Sequence, residues 1–511
     1  MSESLRCVPP NAIIVGYDFS TGGVKALAFD LSGNTVAQVR LPTDLWTEGG
    51  VSELNLMQLE GQARAATRAI VSTMDGKQIA AWGAGACGIS ATHHSAGRID
   101  GRGNQVRRAI CWNDQTLAKY HAEGLKRLGG QERAKELTGG PWAVRYSLSH
   151  LVKDEHALSE ADWKRTDGIV PHGPLAAGYL TNRFDVTSVS SAASTGIMDL
   201  RTNQWRKEML DAIAKPEYRA LAWDCLPDII DMNQPVGPLS ESVGLDAQLP
   251  GSCRPLVFPT LDDQAAGLIG GGAVEAGQVA IILGNSAVVN SSSARLPQSG
   301  TLDAMKLNWG PYLWMRCYSN GAQFLDEVAG KDWFKVEEAA KVPPLCNGTS
   351  VLPFLLSEPS VGVEAPRVEW SPANTENRAV KVRACLEALA YLLARAVREH
   401  EQAGQTVTRI TVSGGMAKSQ LMCEILASAL NRPLERLVSD EGPALGAAVA
   451  ALAGLESHLR KQQGIGEPYT AADAVAAMVR FRDRVEPRPE WVKDYARGQD
   501  VFERWLNGQR P

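Results

Sequence analysis

Two aspartates stand side by side in FPTLDDQAAGLIGGG, residues 258–272, after a strand-like run and ahead of small residues that read as a helix. Two kinds of work suit a carboxylate there. Asp is a favoured helix N-cap, because its oxygens accept the unpaired N–H groups of the first turn. A carboxylate at a strand end can also take the proton of a substrate hydroxyl and aim that oxygen at a γ-phosphate. One of Asp262 and Asp263 can cap while the other does chemistry. A third acid, Asp18, ends the apolar run of IIVGYDFSTGGVKALAFD (13–30) and is followed by Ser20, Thr21, Gly22, Gly23 and Lys25. Glycines in such a turn let backbone N–H groups converge on phosphate oxygens. A carboxylate beside phosphates needs a cation between them, and Mg²⁺ with retained waters is the usual one. The plain alternative is a hairpin whose Ser, Thr and Gly only satisfy a tight turn. A Walker A loop is excluded, since GxxxxGK(S/T) is absent.

Further groups share this character. LGNSAV (283–288) is a second glycine turn, and SGGMAKSQ (413–420) a third, between a strand and a helix, where a nucleotide can meet backbone amides and a helix N-terminus. His93-His94 lies in GISATHHSAGRID (88–100); no His, Cys or carboxylate stands near enough in sequence for a zinc site. A histidine contacting a substrate hydroxyl is the better functional reading. CWNDQT (111–116) sets Trp112, Asn113 and Asp114 together. Aromatic faces and amides recognise sugars, yet Trp112 could be core and Asp114 a cap.

These residues need elements to position them. Residues 12–40 read as three strands joined by tight turns, 55–74 as a helix and IAAWGAGACGIS (79–90) as a buried strand. The order returns later: strand, glycine turn and strand at 277–293, a long amphipathic helix at 379–402, then strand, Gly-Gly turn and helix over 408–430. An Ala-rich helix with proline in its first turn starts near Pro443. This pattern predicts two α/β domains, 1–258 and 259–465, with a tail over 466–511.

With 511 residues the chain exceeds a single core. A net charge of −5 and the lack of basic tracts give no reason to expect nucleic acid. GPALGAAVAALAGL (442–455) is too short to span a bilayer, and the N-terminus MSESLRCVPPN has no apolar signal-peptide core. Nine scattered cysteines without a CxxC pair suit reduced thiols in the cytoplasm.

Taken together, the motifs resemble those of the FGGY family of carbohydrate kinases, in its xylulokinase-like branch. GYDFSTGGVKALAFD is similar to the family's GIDxGTSxxK segment, GISATHHSAGRID to GLSGQMHGxxxxD, and CWNDQT to LWNDxR. LDDQAAG resembles GGGDNAAG, ILGNSAV resembles SLGTSG and SGGMAKS resembles GGGARS; EGPALGAAVAA and the tail EPRPEWVKDYARGQDVFERW match as well. The resemblance implies two actin-like, ribonuclease H-like domains with a nucleotide and sugar cleft between them, sugar on the first and ATP on the second.

On the same ground, Asp263 would be the general base, and Asp18 with Asp263 would hold Mg²⁺. Thr21, Gly22 and Lys25 would face the phosphates of ATP from one side, Gly284 and Asn285 from the other, while Gly414 and Gly415 admit the adenosine. His94, Asn113, Asp114 and Gln264 would touch the sugar, as would Arg145 in VRYSLSHLVK. Ser20 and Gly22 exchange the usual Gly and Ser of the opening turn. Asn285 replaces Thr, Thr92 and His93 replace the Gln and Met before His94, and Gln264 replaces Asn. These changes lie mostly on the sugar side, so they bear on the substrate more than on the reaction.

The expected activity is ATP-dependent phosphorylation of a primary hydroxyl of a ketose, a pentulose such as D-xylulose, with D-ribulose, L-ribulose, another ketose or a polyol left open. An actin-like ATP-binding protein that binds partners would have no need of Asp263 and the His94, Asn113 and Asp114 group. A sugar sensor that has lost activity is a third reading, kept open by Asn285. No membrane partner is expected, and a homodimer is left open.

Overall fold

The computed structural model describes residues 5–372 and 375–510; the first four residues of the N-terminal stretch read above lie outside them. The chain packs as two compact units, and neither is contiguous. One takes in the chain up to Val274 with 304–313 and 442–479; the other has 275–303, 314–441 and 480 onward.

In the first unit the apolar run ends up as the strand Ile14–Ser20, buried along its length until Ser20. It pairs antiparallel with Gly23–Phe29 and parallel with Ala86–Ala91. The short strand Leu261–Asp262 lies parallel on the other side of Ala86–Ala91. Asp18 is opposite Ser90, and Asp262 opposite Ala91, so two of the acids emerge near the carboxyl ends of parallel strands. That is where α/β sheets place their ligands.

The predicted helix at 55–74 is Leu56–Thr73, with Asn55 accepting from Met57 N. The predicted strand at 79–90 is half helix: Gly76–Gly83 is helical and the strand is confined to Ala86–Ala91. The reason is a capping box, Asp75 accepting from Gln78 N while the Gln78 side chain accepts from Asp75 N, which starts a helix despite the glycines.

The contiguous division at 258 and 465 is not how the chain packs. The Ala-rich helix, Gly442–Gln462, lies against Ile14–Ser20, Ala86–Ala91 and the helix Asp263–Gly270, all in the first unit. Glycine makes this possible: a Cβ at Gly88 would stand 1.9 Å from Ala447 O, and one at Gly446 1.9 Å from Ala266 O. Backbones meet with no side chain between them.

The second unit repeats the pairing. Gln278–Leu283 is antiparallel to Ala287–Ser293 and parallel to Arg409–Ser413, with Leu434–Leu437 and Phe481–Val485 beyond. Beside them runs Arg378–Gln402, capped by Asn377 and buried on most of its faces rather than on one stripe. Its neighbours include the helix Pro489–Leu506, which belongs to the predicted tail and is therefore part of this unit. Among the described residues no helix is long and apolar enough to cross a membrane.

Candidate active site

The two adjacent aspartates divide their labour. Asp262 is the N-cap of Asp263–Gly270: its Oδ1 accepts from Gln264 N at 3.1 Å and Ala265 N at 2.9 Å, and Ser190 Oγ donates to its Oδ2. Asp263, the first helical residue, has no such duty. Its Oδ1 is shut off from water and has no hydrogen-bond partner among the described residues. Burial, with the Asp262 and Asp18 carboxylates nearby, pushes the Asp263 carboxyl well above the usual carboxylate range. Asp18 accepts from Ser90 Oγ at 3.1 Å and faces Lys25 across the strand pair.

His93 and His94 stack with centroids 3.6 Å apart, and His94 stacks on Tyr146 at 4.4 Å. His94 adopts the left-handed backbone conformation, φ 60°. Its Nδ1 lies 2.8 Å from Ser194 O. A carbonyl only accepts, so Nδ1 carries the hydrogen and Nε2 is left as an acceptor, buried and unpartnered among the described residues. Burial first, then His93 and Arg145, hold this imidazole well below its ordinary value, so it stays neutral. A neutral ring with a bare nitrogen is what a substrate hydroxyl can donate to. His93 Nε2 stands 3.8 Å from Asp262 Oδ1, and the ligand atoms of His93, Asp262 and Asp263 all lie within 4.8 Å of one another. Asp18 is outside that group, although its charge reaches Asp263.

Asn113 Oδ1 accepts from Ser52 Oγ at 2.8 Å. Asp114 is buried and pinned, its Oδ2 2.9 Å from Lys153 Nζ and its Oδ1 accepting from Thr116 N at 2.8 Å. Burial favours the neutral acid, but the Thr116 hydroxyl and the Lys153 ammonium outweigh it and hold Asp114 below the usual range. Neighbouring Trp112 is exposed, not core. Arg145 lies half-buried over the Tyr146 ring at 5.9 Å, near enough to bias His94. Gln264 is half-buried at the second position of the Asp263 helix.

Thr21 and Gly22 form the two-residue link between the first two strands. Gly22 is not in the left-handed region, and a Cβ on it would meet nothing within 4 Å. Backbone freedom is therefore not what this turn asks of its glycine; open space is. In the second unit Gly284 begins a hairpin turn, its N donating to Ser286 O at 3.1 Å, with Asn285 exposed at the tip. Gly414 does need to be glycine: φ is +91°, and a Cβ would lie 2.5 Å from Leu283 O. The 284–285 and 414–415 turns therefore adjoin. Gly415 opens a 3₁₀ turn to Lys418, and the α-helix starts only at Gln420 with Ser419 as its cap, so the expected meeting of Gly-Gly turn and helix N-terminus does not occur.

Several supporting residues were not singled out from the sequence, although Ser90 lies in the 88–100 motif and Tyr146 and Lys153 lie in VRYSLSHLVK. Ser190 holds Asp262, Ser194 O holds His94, and both come from the short segment Val189–Ser194; Ser90, Tyr146 and Lys153 support Asp18, His94 and Asp114. For Ser190 and Ser194 the serine run SVSSAAST (188–195) was the visible sign, since so many hydroxyls near a buried helix must find partners there.

With this arrangement established, comparison identifies the family. The N-terminal domain of the FGGY family of carbohydrate kinases matches residues 13–270 and the C-terminal domain matches 317–455. The chain belongs to the FGGY family of carbohydrate kinases, phosphotransferases whose donor is ATP. It is 24% identical to a xylulose kinase of Staphylococcus epidermidis over 96% of either chain. It is 27% identical to a glycerol kinase of Methylorubrum extorquens, over 85% of this chain and 88% of that one. The fold matches the ligand-bound xylulose kinase of Lactobacillus acidophilus with TM-score 0.83 at 18% identity, over 97% of this chain and 98% of that one. The expected two-domain α/β kinase fold is the one observed.

Proposed function

We propose that the chain transfers the γ-phosphate of ATP to a primary hydroxyl of a pentulose, with D-xylulose as the substrate and Asp263 as the base. The observation that carries this reading is the Asp263 Oδ1 atom, buried and without a hydrogen-bond partner among the described residues, at the start of a helix whose cap is supplied by its neighbour. An oxygen kept from water and from competing donors is suited to receive a hydroxyl proton. The bare His94 Nε2 accepts from a second sugar hydroxyl, with Asn113, the pinned Asp114, Arg145 and Gln264 as further sugar contacts. The relatives named xylulose kinase support the pentulose.

The first unit also suits a divalent cation. Asp18, Asp262 and Asp263 lie close enough to disfavour ionisation of Asp263, and a cation offsets that repulsion. Asp18 and Asp263 would hold Mg²⁺, which when bound screens the phosphate oxygens. Thr21, Gly22 and Lys25 are the first unit's candidate ATP contacts, and the adjoining turns 284–285 and 414–415 are the second unit's. Asn285 offers no hydroxyl, so the backbone carries the phosphate contacts of that tip. The nine free cysteines support a cytoplasmic placing.

The test is ADP release from ATP across ketopentoses, ketotetroses, ketohexoses and polyols. D-Xylulose is expected to exceed every other acceptor. Preference for glycerol or another polyol would replace the sugar, and silence throughout with ATP still bound would turn the reading to a sensor.

A further inference from the structure

We propose that His93 completes, with Asp262 and Asp263, a divalent-cation site of mixed nitrogen and oxygen donors that prefers a first-row transition-metal ion to Mg²⁺. The proposal rests on the reading of Asp263 as a cation ligand and departs from it in taking His93 and Asp262, in place of Asp18, as the other donors and in naming the metal class. Three observations meet here.

The ligand atoms of these three residues are gathered within 4.8 Å of one another. Donors bound to one ion at about 2.1 Å stand roughly 3–4 Å apart. His93 Nε2 and Asp262 Oδ1, at 3.8 Å, have that spacing.

The donors are held in place before any ion arrives. The His93 ring is buried and lies flat on His94, which is flanked on its other side by Tyr146. Asp262 is fixed by two backbone N–H groups and Ser190 Oγ. Independently of the cluster's composition, Asp263 Oδ1 is buried with no partner among the described residues, and such an oxygen calls for one.

The donor set then chooses the metal. Mg²⁺ takes oxygen donors almost exclusively and gives up its waters reluctantly. Imidazole is a ligand for the transition ions, while carboxylates serve Mn²⁺ as well as Mg²⁺. The competing explanation, a His93–Asp262 ion pair with no metal, predicts no bond from nitrogen to the ion.

The probe is Mn²⁺ alone, added to the full-length protein without nucleotide and followed by electron paramagnetic resonance. Bound Mn²⁺ is expected at one ion per chain. Its spin-echo spectrum should show a directly coordinated ¹⁴N, a readout that needs no variant and no activity. Mg²⁺ should displace it only at about 100-fold excess, and His93→Met should weaken it by about tenfold or more. No saturable Mn²⁺ binding, bound Mn²⁺ without ¹⁴N coupling, or displacement by equimolar Mg²⁺ would each overturn the assignment. A failure of ADP release with ¹⁴N coupling present would instead strike the kinase reading and leave the metal site standing.

Discussion

A base must be both reachable by its substrate and protected from other donors, and adjacent aspartates achieve this by splitting the tasks. Asp262 Oδ1 takes the Gln264 and Ala265 N–H groups, and one oxygen of Asp263, Oδ1, is left without a hydrogen-bond partner among the described residues. The spacing left a pair of possibilities and the family resemblance named Asp263 as the expected base; the Ser190 contact that helps hold Asp262 as the cap is announced by no spacing. Buried imidazoles make a separate statement at this scale. Burial lowers His150 to about 3, His172 to about 4 and His400 to about 3. In the unfolded chain each takes up its proton near pH 6.5, and in the fold only far below that. Their stabilisation is therefore complete above pH 6.5 and lost as pH falls, down to about 4 for His172 and about 3 for the others. Each imidazole contributes about 1.4 kcal/mol per pH unit across its window. Asp263, Glu53, Glu358 and Glu387, all raised chiefly by burial, have the opposite sign and favour the fold at low pH, while His94 and His121, also lowered by burial, add to the three imidazoles. Urea unfolding at pH 7.5 and pH 5 should show a clearly lower midpoint at pH 5; equal midpoints would contradict this.

At the scale of elements, the helix Gly442–Gln462 is the part on which the site leans. It meets two strands and the Asp263 helix by direct backbone contact, as the Cβ positions at Gly88 and Gly446 show. Its Ala- and Gly-rich sequence foretold tight packing, but not against what, because small residues record closeness and not a partner. A Gly446→Ala substitution would put a Cβ 1.9 Å from Ala266 O, an unyielding backbone atom. The expected cost is about 3 kcal/mol, with reduced turnover because the displaced helix begins at Asp263. Urea denaturation beside a rate assay checks both, and an unchanged midpoint would refute the packing argument. Local signals also explain the helix Gly76–Gly83: Asp75 and Gln78 form a capping box spelled out in the sequence, which the apolar run beside it masked. The Gly415–Lys418 turn had no such cue, since a 3₁₀ turn and the start of an α-helix share the same composition.

For the whole molecule, alternating strands, helices and glycine turns were enough to indicate two α/β units, and the motif order was enough to indicate the family. The interleaved cut, with 304–313 and 442–479 joining the first unit, was not legible, because it depends on contacts between residues hundreds of positions apart. The place of the acidic pair was not legible either: the cut at 258 put Asp262 and Asp263 in the second domain, whereas they pack in the first unit with Asp18, His93 and His94, and the turns at Gly284 and Gly414 lie in the second. On the proposed mechanism Asp263 serves the transfer step and not the binding of ATP. The direct measurement compares ADP release from ATP and D-xylulose by the unaltered chain and by Asp263→Asn, with ATP affinity measured on both. Asn keeps the size and removes the basic oxygen. Turnover lower by about 10³-fold with ATP affinity little changed is the expected result; turnover close to that of the unaltered chain would remove Asp263 from the role of base.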